Sequence, residues 1–205
     1  MYTKLSILII LFLYHISVVS QDIMDERDKS DYSEVLSLYP NELVCGFPEM
    51  KKEKVFYLGL EFPRGQYLSH IHIGVLKTEV EIKNLEEQLK IKSKSIYSFG
   101  DSCSLIINYD SNLYTNAPFN LTMCDSLIMM QKLPIPNFDF LIDMDMPSEF
   151  FDKATIYLLD AEKGKFLEDN YLSINGVGLP KNWLHGYTKG LVISGKIVFY
   201  WLEVW

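Results

Sequence analysis

The stretch Ser69-His-Ile-His-Ile73 carries two of the four histidines in the chain. Polar and apolar residues alternate along it. In an extended strand, successive side chains point to opposite faces. His70 and His72 then share one face, and Ile71 and Ile73 take the other. Two imidazoles spaced this way can grip one transition-metal ion, and Zn, Mn, Fe and Cu all accept such ligands. A third ligand is needed. Glu79 follows the run, and His185 stands in Leu179-Pro-Lys-Asn-Trp-Leu-His185-Gly186. The plainer reading puts both histidines on a polar, solvated strand face.

The order of these residues resembles the cupin pattern. Gly65 leads to His70-Ile-His72, Glu79 follows, and Pro180 precedes His185 by five. The resemblance implies a metal-dependent enzyme with His70, His72 and His185 as ligands and Glu79 as fourth ligand or base. The departures are specific. Gly65 is one residue too near, Glu79 comes too late, Asn182 replaces a glycine, and Lys189 replaces an asparagine.

A second group is acidic: Asp139-Phe-Leu-Ile-Asp143-Met-Asp145, with Asp152 beyond. Calcium takes six to eight oxygens, often from carboxylates at a loop tip. Asp143, Asp145 and Asp152 are candidate ligands, and the spacing loosely resembles the third calcium loop of C2 domains. No matching first loop is visible, and the glycine of an EF-hand is missing. The plainer reading is a strand end bearing solubilising acids, with Ser148 opening a helical turn. Nucleophilic catalysis finds no footing. Gly-x-Ser-x-Gly does not occur, and no cysteine has a histidine beside it. Gly176-Val-Gly178 lacks the Lys-Ser/Thr of a phosphate loop.

The elements that must position these residues read as β-structure. Apolar and aromatic runs recur over residues 55–62, 68–76, 104–109, 121–133, 154–159, 171–174 and 191–205. Turn residues separate them. This pattern predicts an all-β fold, an antiparallel β-sandwich or jelly-roll-like barrel with few short helices. Thr78 to Lys94 admits two readings. Ile82, Leu85 and Leu89 fit a helix, whereas alternation on both sides of Asn84 fits a hairpin, the reading preferred here. Leu191 to Trp205 is apolar on both faces, as a central strand requires.

Residues 1–20 read as a secretory signal peptide: Lys4, an apolar block of about ten residues, then Val18 and Ser20 before a cut. No segment is long and apolar enough to predict a membrane span. Residues 21–40 are expected to form a flexible acidic arm, and 41–205 a single β-sandwich domain. Without residues 1–20, 18 basic residues face 27 acidic ones, a formal charge of −9, with arginine only at positions 27 and 64. That balance argues against nucleic acid as a partner.

In an oxidising compartment, Cys103 and Cys124 form the expected disulfide. Cys45 is then left buried or free to join a second chain as a disulfide-linked dimer. Asn120-Leu-Thr122 is a glycosylation acceptor. Trp183, Tyr187 and Tyr114 lie in or beside loop-like stretches and are candidate ligand-binding aromatics, with core closure as the plainer reading. The expectation is a secreted binding module for an extracellular protein, glycan or lipid. A transition metal or calcium is the cofactor in the metal readings, and none is needed in the binding one.

Overall fold

The computed structural model describes residues 25–61, 68–99, 104–107 and 131–205. Two long strands, β1 (Lys54–Glu61) and β2 (Ser69–Leu76), form an antiparallel hairpin. Three more, β6 (Thr155–Lys163), β7 (Gly186–Ser194) and β8 (Ile197–Val204), form an antiparallel meander. Gly195 and Lys196 make the tight turn between β7 and β8. Gly195 has φ +59°, a conformation open to glycine at little cost.

β8 lies along β2 and welds hairpin to meander, with Ser69 opposite Val204 and Leu76 opposite Ile197. Short β3 (Ser95–Ser98) adds to the free side of β6, giving the order β1-β2-β8-β7-β6-β3. A separate parallel pair joins β4 (Leu105–Ile106) to β5 (Pro134–Ile135).

Leu191 to Trp205, expected as one central strand, is broken by the Gly195 turn into the end of β7 and β8, and both strands lie in the sheet interior. Val198, Leu202 and Val204 meet Ile71, Ile73 and Val75 of β2 on one face. Helix α1 (Glu26–Ser37), the short α2 (Asn41–Val44) and α3 (Glu79–Lys92) cover that face, contributing Tyr32, Val35, Leu43, Ile82 and Leu89. On the other face, Phe199, Trp201 and Trp205 pack under α4 (Asp139–Asp143), α5 (Ser148–Lys153) and the β4–β5 pair. The antiparallel sheet expected from the sequence is present. A second large sheet facing it, as a sandwich needs, is not found among the described residues. Helices and irregular chain cover the six-stranded sheet instead.

Three local expectations are corrected. Residues 26–37, expected in a mobile arm, are helical. Asp25 caps the first turn reciprocally with Asp28, and the chain is anchored by Tyr32, whose hydroxyl donates to the Pro48 carbonyl at 2.9 Å. Thr78–Lys94 is a helix and not a hairpin. The Thr78 hydroxyl accepts from the Glu81 amide, and the Glu81 carboxylate accepts from the Thr78 amide at 2.8 Å, closing a capping box. Lys90 and Lys92 sit in the last turn, where cations suit the helix dipole. The apolar run beginning at Phe138 is α4 and not a strand.

Candidate functional site

His70 and His72 share a face of β2, as the alternation required. The face is largely closed to water: His72 is buried and His70 half-buried. Rings from three elements lie over it, and Gly74 on the same face has no room for a side chain. A Cβ there would come within 2.8 Å of the Phe199 and Phe56 rings. The two imidazoles stack at 4.4 Å between centroids, 26° apart. Phe140 of α4 stacks on the far side of His72 at 4.5 Å and 19°. Glu203 of β8, fully buried, sits opposite His70 in register, and its Oε1 is 2.8 Å from His72 Nε2. Burial pushes both imidazoles down to about 3. For His70, the neighbouring ring adds to the fall, and Glu203 opposes it without offsetting it. The pair is therefore neutral at pH 7.

Trp201, the neighbour of His72 on β8, is also buried. Its ring lies against Gly190 of β7, and its indole N–H finds no hydrogen-bond partner among the described residues.

The other predicted ligands do not converge on this pair. Glu79 opens α3, beyond the opposite end of β2, and its carboxylate meets Lys196 at 3.1 Å. His185 precedes β7, two strands away from β2. Among the described residues, no group of three or more His, Cys, Asp or Glu is placed to hold a metal ion. Asp143, Asp145 and Asp152 are exposed, and Asp145 has φ +54°.

Trp183 and Tyr187 are 3% and 4% exposed, so they close the core. Trp183 packs on Trp205 and accepts from its indole N–H at 2.9 Å through its carbonyl. Tyr187 donates to Asp160 at 2.7 Å. Burial would raise the Asp160 carboxyl, but Lys94 and Tyr187 outweigh it and hold it below its ordinary value. Cys45 is exposed, with a free thiol. Tyr114, Asn120, Cys103 and Cys124 lie outside the described residues.

Sequence reasoning missed an apolar cleft among the described residues. A cleft of about 180 Å3 lies between the end of β3 and α4, lined chiefly by Phe99, Ile106, Ile135, Phe138, Ile142 and Phe151. Ile142 is 60% exposed at its rim and Ile106 is 40% exposed. The lining comes from separate segments, so no local pattern announces it. The one local hint is the density of phenylalanine and isoleucine from 135 to 151. A volume of this order holds a benzene-sized group. No family model, curated protein or solved structure matches this chain.

Proposed function

We propose that the chain is a secreted binding module that takes an apolar group of an extracellular protein, glycan or lipid into the cleft beside β3. The observation that carries this reading is the cleft itself, with apolar walls and an exposed isoleucine at its mouth. Binding sites are typically concave and apolar, with a few polar groups to orient the ligand; here Asn137 and Asp139 could do so. Among the described residues, no helix is long and apolar enough to cross a membrane.

Cleavage after Ser20, a glycan on Asn120 and a Cys103–Cys124 bridge belong to the same reading. The exposed Cys45 thiol suits a disulfide-linked dimer. The test of the cleft uses isoleucine-methyl NMR. Toluene should shift the methyls of Ile106, Ile135, Ile142 and Ile156 saturably and leave Ile71 and Ile73 unmoved. Ile142→Asp should weaken binding at least tenfold. A partner from extracellular fluid should be retained by the wild-type chain and lost with the same variant. Toluene shifts spread over both cores, or retention indifferent to Ile142→Asp, would remove the cleft from consideration.

A further inference from the structure

α4 belongs to two places at once. Phe138, Asp139 and Ile142 of this segment line the cleft, while Phe140 between them stacks on His72. The cleft wall is therefore mechanically tied to the histidine pair. We propose that this pair makes α4 an acid-released strap, so that a ligand taken into the cleft at neutral pH is let go on acidification. The release of ligand rests on the cleft being the binding site; the opening of α4 does not.

The charged and titratable groups that face the pair are few among the described residues. β8 supplies Glu203, bonded to His72, and β1 supplies Tyr57 and, in register with His70, Glu61. α4 carries Asp139 and Asp143, both exposed, and β7 contributes uncharged Thr188 beside Glu203. One carboxylate bonded to the pair offsets only part of the cost of one imidazolium. A second, in a ring 4.4 Å away, repels the first, and the two rings, one buried and one half-buried, have lost much of their water. Attraction of a cation to the Phe140 ring is smaller than that lost hydration. Relief comes from letting water reach the rings.

The element on top is the shortest piece of regular structure that touches the pair. α4 has five residues; Asn137 accepts from its first amide at 3.1 Å and Phe138 and Leu141 anchor it in the core, so its opening must be driven, whereas β2 and β8 are held on both sides in the sheet. Once α4 lifts, each imidazole returns towards its ordinary affinity for protons. Between pH 7.5 and 5.0, linkage then favours the open form by about 30-fold if one ring charges and up to about 1,000-fold if both do.

Amide hydrogen exchange on the full chain tests this without any ligand. After correction for intrinsic rates, the amides of Leu141, Met144 and Met146, bonded within and just after α4, should open about 30- to 1,000-fold more at pH 5.0 than at pH 7.5. Amides of β7 and β8 should not follow. His70→Gln and His72→Gln, which each remove one charge, should each hold the response to no more than about 30-fold, and the double variant should flatten it. Toluene affinity, read by the isoleucine methyls, should fall over the same range in the wild-type chain. Equal acceleration in α4 and β8 would mean general acid unfolding and would overturn the strap, as would no acceleration in α4. Toluene held equally at both pH values while α4 opens would overturn the release of ligand and leave the cleft reading standing. No toluene binding at any pH would sink the cleft reading, and the exchange result would still decide the strap.

Discussion

At Gly190 the backbone leaves no space for a methyl group. A Cβ there would sit 2.2 Å from the Tyr157 carbonyl oxygen and 2.4 Å from the Trp201 ring. The carbonyl belongs to a paired strand and cannot retreat. Gly190→Ala should therefore lower stability by about 3 kcal/mol, seen as an earlier thermal midpoint, because both neighbours are fixed by packing. The histidines make a second residue-scale prediction. Their folded affinity for protons is depressed below that of the unfolded chain, so the unfolded chain binds more protons in mild acid. Stability is complete above about pH 6.5 and is lost as pH falls from there towards 3. The slope is at most about 1.4 kcal/mol per pH unit for each ring. Urea midpoints measured from pH 7.5 to 4 should show it, and His72→Gln should halve it; a flat profile over that range would contradict the buried, neutral pair. The shared face of His70 and His72 was legible in the sequence because strand alternation is a property of the backbone. Their partners were not. Glu203 reaches His72 across 131 residues, and no local rule links such distant positions.

Among the elements, α3 shows where local reading fails and why. Both periods are present in Thr78 to Lys94, since Val80, Ile82, Leu89 and Ile91 satisfy alternation as well as Ile82, Leu85 and Leu89 satisfy a helix. The deciding signal was Thr78-x-x-Glu81, two residues that satisfy each other's backbone at a helix start. The structure buries Ile82 and Leu89 and leaves Ile91 at 87% exposure, so the helical stripe is the one that folding uses. Thr78→Ala should cost about 1 kcal/mol in chemical denaturation, the usual value of such a cap. A larger loss, with helical ellipticity gone, would mean that α3 depends on its cap more than on packing. The interior position of Leu191 to Trp205 was legible because the run is apolar on both faces, but the Gly195 turn that splits it into β7 and β8 was not read. Removal of residues 198–205 takes away nearly all of β8 and Trp205. The truncated chain should not fold, giving no cooperative thermal transition and no dispersed amide spectrum.

For the whole molecule, composition argued against nucleic acid as a partner, while the runs of β-formers identified the antiparallel sheet. The covering layers were hidden. α1 is largely charged and shows only a few apolar residues, and Tyr32 and Val35 anchor it through distant contacts. If the exposed Cys45 thiol joins two chains, a non-reducing gel of protein purified without reductant should show a dimer that Cys45→Ser abolishes. A monomer before and after that change would leave the thiol without this role.

The pairing of β2 with β8 also sets an order of events at the ribosome. The inner edge of β2 emerges early, with Ile71, Ile73 and Val75 beside it, yet its partner lies more than a hundred residues downstream. At ordinary elongation speeds the nascent hairpin waits on the order of 10 s with that edge open. A holding chaperone at the exit tunnel would have its client in this interval, and slowing translation between the two strands should lengthen the exposure and lower the yield of soluble chain.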